Sequence, residues 1–274
     1  MSVQFRGGGL GGKAAAKALP FALLAGAGCA RPSATSHAEL AFRVPLGQAP
    51  AAAATRSADG LETDLDPTAT PAYRYAQLDR DACEAELTRR GIGWTDAGES
   101  RGVLAPVRLT GPVGGVTYHS TLSPSQRATS PNEVFDCRLV LSLDDFSAIL
   151  TAHDVVEVIH LSAWRPPRAR SWPAGKLGTR HEGGLALDAG IFVRRDGSRL
   201  NVEKDFHGRI GARTCGPGTG PKPATPEAVE LRSIACEAAD AHLFQVELTP
   251  DYNWPHRNHF HLEVTPTVKW FLVH

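Results

Sequence analysis

His181-Glu182-Gly183-Gly184-Leu185-Ala186-Leu187-Asp188 and, further along, His256-Arg257-Asn258-His259-Phe260-His261-Leu262-Glu263 are the stretches on which the reading of this chain turns. In a strand, successive side chains point to opposite faces. A strand beginning at Gly184 puts Leu185 and Leu187 on one face and Gly184, Ala186 and Asp188 on the other. The small residues leave room for a cleft, and Asp188 faces the loop that carries His181. The same alternation sets His259, His261 and Glu263 on one face and turns Phe260 and Leu262 toward the core. An isolated His-x-His pair is ordinarily structural, but its coincidence with a second His/Asp group points to a metal site. Two His and one Asp are the protein ligand count of a catalytic zinc centre, which keeps a fourth position for water. Zinc draws the pKa of such a water toward neutrality and polarises a carbonyl. Two imidazoles and one carboxylate also suit zinc among the divalent ions.

Working outward, the β-branched run at 155–161 reads as a central strand. Residues 185–195 are extended, and Asp196-Gly197 is a hairpin signal leading into a return strand at 199–203. A last strand is expected over 259–264. Upstream, Val107, Leu109, Val113, Val116 and Tyr118 stand among Gly-Pro and Gly-Gly turn signals and are strand-like. Helices are expected over 79–90, stopped by Gly91, over 144–153 after Ser142 as N-cap, and over 226–244, with Pro226 in its first turn. Strands gather in the second half, with helices before and between them. The expected class is α+β, a small, mainly antiparallel sheet with flanking helices.

The 274 residues carry 29 Lys plus Arg against 29 Asp plus Glu, so the formal charge is zero and no nucleic-acid partner is expected. Residues 1–29 hold Arg6, Lys13 and Lys17, no acid, and an apolar run at 18–25, which reads as an export signal. Its ending Gly26-Ala27-Gly28-Cys29 is either a lipoprotein cleavage site, with a lipid anchor on Cys29, or an ordinary signal with an incidental Cys. Beyond it, no apolar run is long enough to span a bilayer. Residues 30–72, rich in Ala, Pro, Thr and Ser, form a disordered tether in this reading. Residues 73–274 make a single domain, expected to be monomeric and to lie in the periplasm or cell envelope. Setting Cys29 aside, cysteines remain at 83, 137, 215 and 236, read as two disulfides. Three pairings are open and the sequence alone does not choose. The one carried forward is Cys83 with Cys137 and Cys215 with Cys236.

The pattern His181-x-x-Gly184-x-Ala186-x-Asp188 followed by His259-x-His261 resembles the signature of the zinc peptidase superfamily that contains lysostaphin, the D-Ala-D-Ala carboxypeptidases and dipeptidases, and the hedgehog signalling domain. Thr179 stands where many members have Ser. The wider stretch includes Pro106-Val107, the Cys137 segment, Leu161-Ser162-Ala163-Trp164-Arg165, and the run from Cys236 through Gln245 to Asn253 and the His pair. It resembles the bacterial extensin-like C-terminal domain family over nearly all of 78–265. The resemblance implies a hedgehog and D-Ala-D-Ala-peptidase-like fold, zinc ligands at His181, Asp188 and His261, and an Arg165 that holds a substrate carboxylate or developing oxyanion. A guanidinium suits that role because it stays charged and offers forked donors.

Dipeptidase-like members carry a Glu or Asp as general base three residues before the last ligand, where this chain has Asn258. Lysostaphin-like members use the first His of the pair, which makes His259 the expected base and His256 the second candidate. Glu263 is placed to orient His259 or His261, and Trp164, Trp172, Tyr252 and Trp254 are candidates to line a glycan or peptide cleft. The run Gly216-Pro217-Gly218-Thr219-Gly220 lacks the Lys-Ser/Thr of a phosphate loop and reads as a flexible connection. The expected function is a zinc-dependent peptidase acting on peptidoglycan stem peptides or cross-links, as a D,D-carboxypeptidase or an endopeptidase. Its rivals are a non-catalytic wall-binding module that keeps fold and metal, favoured by Asn258, and a zinc amidase acting on some other amide.

Overall fold

The computed structural model describes residues 66–168 and 172–274, so the leader, Cys29 and the tether up to residue 65 lie outside the described residues. Two helices open the fold, α1 (Pro71–Ala76) and α2 (Arg80–Arg89). Thr70 Oγ1 and Asp79 Oδ1 cap them by accepting from the Tyr73 and Ala82 N–H groups. There follow β1 (Trp94–Asp96), β2 (Pro106–Leu109), β3 (Thr117–Ser120), the one-turn α3 (Pro124–Arg127) and β4 (Phe135–Asp136). Next are α4 (Cys137–Ala152), β5 (Val155–Ser162), β6 (Ala186–Arg194), β7 (Arg199–Asn201) and α5 (Val202–Asp205). The described chain ends with α6 (Pro226–Asp240), β8 (Val246–Leu248), β9 (Phe260–Glu263) and β10 (Leu272–Val273).

These elements make a mixed α/β fold with two sheets. β1, β2 and β4 form an antiparallel one, and a seven-stranded sheet runs in the order β10-β8-β9-β6-β5-β3, with β7 also on β6. In the larger sheet β6 is antiparallel to β5, β7 and β9, and β8 to β9. β3 runs parallel to β5, and β10 parallel to β8. The sheet expected to be small and mainly antiparallel is therefore larger, and two parallel pairings among mainly antiparallel ones make it mixed. Parallel neighbours need a crossover, and α4, placed in the chain between β3 and β5, supplies one.

The helix expected over 144–153 begins seven residues earlier, at Cys137. Its N-cap is Asp136, not Ser142, which is fully buried in mid-helix. Leu139, Val140, Leu141 and Leu143 are all inaccessible. A helix buried all round carries no amphipathic period, so these first turns have no sequence signature. Asp136 also takes the Arg138 guanidinium on both carboxylate oxygens, at 2.7 and 3.0 Å, and accepts from the Leu104 and Ala105 N–H groups. α6 stops at Asp240, short of the expected 244. His242, at φ +52°, turns the chain, and Leu243 and Phe244 enter the core from outside the helix.

α4 packs on α1, α2, α6 and β5. Phe260 of β9 sits between Phe192 and Phe206, each 5.5 Å away between ring centres, which fixes the core side of the central strands. The two disulfides are the pairs carried forward above: Cys83–Cys137 ties α2 to the head of α4, and Cys215–Cys236 ties a long loop to α6. They close 54 and 21 residues, for which the loop-entropy relation gives about 4 and about 3 kcal/mol. Replacing Cys83 and Cys137 together by Ala should therefore lower the unfolding free energy by about 4 kcal/mol, read from urea midpoints under non-reducing conditions. The Cys215/Cys236 double variant should lose slightly less.

Candidate metal centre

The register of β6 builds the site. Asp188 lies opposite His261 of β9 on one side and Ser162 of β5 on the other. Leu187, Ala189, Phe260 and Leu262 belong to the core, and Asp188, His261 and Glu263 turn the other way and contact one another. This is the alternation expected from the sequence. His181 comes from a single 3-10 turn, Arg180–Gly183, ended by Gly184 at φ +66°. Gly184 does not open a cleft. A Cβ there would stand 2.9 Å from the Asp136 backbone nitrogen, and that nitrogen donates to the Gly184 carbonyl at 2.8 Å. At Gly178 a Cβ would meet the Glu182 carbonyl carbon at 2.5 Å. The loop carrying His181 is thus folded backbone against backbone, where only glycine fits.

Three imidazole nitrogens converge on one oxygen. Asp188 Oδ1 lies 3.1 Å from His181 Nε2, 3.1 Å from His261 Nδ1 and 3.2 Å from His259 Nε2. Each ring is held by its other nitrogen: His181 Nδ1 on the Ala163 carbonyl at 2.7 Å, His261 Nε2 on Glu263 Oε2 at 3.0 Å, and His259 Nδ1 on Asn258 Oδ1 at 2.8 Å. These outer partners can only accept, so the outer nitrogens carry the protons. In neutral rings the inner nitrogens then aim lone pairs at an oxygen that has only lone pairs of its own. Such an arrangement requires added protons or a cation. His181, Asp188 and His261 are all buried, with ligand atoms within 4.8 Å of one another. Two imidazole nitrogens and a carboxylate oxygen, with outer partners that fix the tautomers, fit zinc. His259 stands beside this trio.

The electrostatics agree. Burial works to raise the Asp188 pKa, but the three histidines outweigh it and hold the carboxyl well below the usual carboxylate range. Burial lowers His261, and its contacts with Asp188 and Glu263 overcome that and raise it. Both shifts describe a pocket that favours positive charge among the rings. Arg165 donates from Nε to Ser162 Oγ at 2.7 Å and from Nη2 to Asp188 Oδ2, while its side chain stays largely exposed.

His256 stands beside the cluster, its ring centre 5.2 Å from His259 and 5.6 Å from His261. Burial pushes its pKa down to about 4, and Nδ1 is held by Asn253 Oδ1 at 2.6 Å. Tyr252 is edge-on to His256 at 5.5 Å, and Trp254 is exposed next to it. Trp172 is instead stacked by Lys176, and no described contact ties it or Trp164 to the cluster. Ser162, the Ala163 carbonyl and the orienting role of Asn258 have no signature in the sequence. A carbonyl leaves none, and a lone Ser or Asn has many uses.

No described helix is long and apolar enough to cross a membrane. The family profile described as extensin-like protein C-terminus matches residues 81–272. No curated protein and no solved structure matches the chain.

One strand over, His160 of β5 is fully buried, edge-on to Phe135 at 5.7 Å, and neither ring nitrogen has a hydrogen-bond partner among the described residues. Burial pushes its pKa from 6.5 down to about 3. The unfolded chain therefore binds a proton near pH 6.5 that the folded chain refuses until about pH 3, and stability falls as pH drops through that window. Between pH 7.5 and 4.5 wild type should lose roughly 3 kcal/mol more than His160→Phe, measured by urea unfolding at both pH values. An equal loss in the two proteins would show that His160 is not buried as the neutral form.

Proposed function

The chain belongs to the extensin-like protein C-terminus family, and from that membership and the geometry of the cluster we propose that it is an exported, zinc-dependent peptidase. On this reading it has the lysostaphin and D-Ala-D-Ala-carboxypeptidase kind of site and hydrolyses amides of peptidoglycan stem peptides or cross-links. The observation that carries the reading is the convergence of oriented inner nitrogens from three imidazoles on Asp188 Oδ1. His181 through Nε2, Asp188 through Oδ1 and His261 through Nδ1 would hold the metal. Zinc there supplies Lewis acidity, polarising a scissile carbonyl and making water nucleophilic near neutral pH. Two disulfides fit an oxidising compartment.

The remaining roles fall to this chain's own side chains. His259 presents Nε2 to the cluster and keeps Nδ1–H on Asn258, so Nε2 is the atom that takes a proton from the attacking water and returns it to the leaving amine. Asn258 cannot take a proton, and its part is to set the ring of His259. Arg165 spends Nε on Ser162 and Nη2 on Asp188. Its other N–H groups, on the exposed edge, bind a substrate carboxylate or the carbonyl oxygen. Glu263 holds the tautomer of His261 and is itself held by Thr265 Oγ1 at 2.7 Å.

The test is metal content by mass spectrometry on wild type and His261→Ala, followed by digestion of purified sacculi with the same samples. Wild type should carry about one zinc per chain and release new muropeptides; the variant should do neither. Zinc without products would favour the wall-binding module, and metal-free wild type would sink the site. His259→Ala should keep zinc and lose about 100-fold or more in rate. Glu263→Gln should weaken zinc about 10- to 100-fold, read by chelator competition.

A further inference from the structure

The loop between α5 and α6 has no regular structure, yet it is pinned. Asp251, fully buried, accepts from the Arg209 N–H at 2.6 Å and takes the Arg232 guanidinium at 2.8 Å. Its carbonyl accepts from the Gly211 N–H at 2.7 Å. Cys215 is bonded to Cys236 on α6, and Gly208 is pressed on Pro250 so closely that a Cβ would come within 2.8 Å of it. The run of glycines at 216–220, read from sequence as merely flexible, hangs from this framework.

So held, the loop presents Arg209, Arg213 and Lys222 around a cavity of about 700 Å³. No Asp or Glu lines it, and among the described residues no ion pair engages these three side chains. Arg232, also in its wall, is committed to Asp251. In a chain of zero net charge, this is a local excess of unpaired cations. A second cavity of about 380 Å³ shares His207 and Gly208 with the first and continues past Ile210 and Trp254, with Glu203 as its one acid and the Arg257 guanidinium 4.6 Å from the centre of the Trp254 ring. Ile210 and Trp254 are 55% and 67% exposed. The turn Trp254–His256 then leads into Asn258 and His259 at the metal centre.

We propose that this trough binds the carboxylate-bearing peptide of peptidoglycan, with free carboxylates on Arg209, Arg213 and Lys222 and methyl side chains over Ile210 and Trp254. The identity of the polymer rests on the peptidase reading above; the anion site does not. Guanidinium forks match planar carboxylates. A glycerol-phosphate polymer would satisfy the cations but leave the exposed apolar pair uncovered, which favours the peptide.

The test is fluorescence anisotropy with a labelled stem tetrapeptide bearing free carboxylates, and with the same peptide amidated, on the full chain. Arg209→Ser, Arg213→Ser and Lys222→Ser combined should bind the acidic peptide about tenfold more weakly than wild type. Wild type should fall to that level in high salt and with the amidated peptide. Should the triple variant melt early by circular dichroism, Lys222→Ser alone, lying outside the pinned stretch, should still weaken binding about twofold. Chelator-treated wild type should keep the salt-sensitive binding, so a failure of the peptidase reading would leave this result standing. Equal affinity in variant and wild type, indifference to amidation, or tighter binding of polyglycerol phosphate than of the peptide would each overturn the proposal.

Discussion

One buried carboxylate oxygen, Asp188 Oδ1, faces the inner nitrogens of three imidazoles, and the surrounding groups are arranged to keep those four together. Burying a carboxylate is costly unless its charge is met. Here Arg165 meets Oδ2, while the rings and whatever charge lies among them meet Oδ1. A second carboxylate, Glu263, is also buried, with Thr265 on one oxygen, His261 on the other and Arg180 at 3.6 Å. Arg165 pairs with Asp188 through Oδ2, and the exposed Arg180 pairs with Glu263, so neither guanidinium brings positive charge to Asp188 Oδ1 itself. Protons on the rings or a divalent cation are the two ways to supply it, and metal binding at such a cluster would release the protons it replaces.

That cluster stands on a rigid platform. β6 is paired on both sides and nearly inaccessible along its length, and its Phe192 packs with Phe260 and, through it, Phe206 in the core. The two loop-borne residues are coupled to each other, because the Arg165 N–H donates to the His181 carbonyl at 3.0 Å. A shift of either loop would therefore move both groups against Asp188. Sites supported on strands in this manner hold their geometry more closely than sites on free loops.

What could be read from the sequence was what has a period. The alternation at 259–263 and around Asp188 placed His261 and Asp188 on one face, because a strand repeats every two residues. Asp196-Gly197 marked the β6–β7 hairpin for the same local reason. The head of α4 was not legible, being buried on every side. Nor were β8 and β10, three and two residues long, too short to show alternation. Gly184 was read as space on the cleft side, whereas its use is backbone contact with Asp136, a partner distant in sequence. The glycine run at 216–220 looked flexible for a like reason: Asp251, which pins the stretch before it, lies far along the chain.

The amide at 258 bears on how such a site would handle protons. A carboxylate on His259 Nδ1 would both orient the ring and stabilise its imidazolium. An amide oxygen, at 2.8 Å, orients the ring without adding that charge. The neighbouring His256 is held neutral by burial, with its pKa near 4, and adds no positive charge of its own beside the ring. On the proposed function, Asn258 thus exchanges the role of base for that of a positioner. On the same reading, proton transfer would be concentrated on His259 Nε2, the one imidazole nitrogen that faces Asp188 without belonging to the buried trio of candidate ligands.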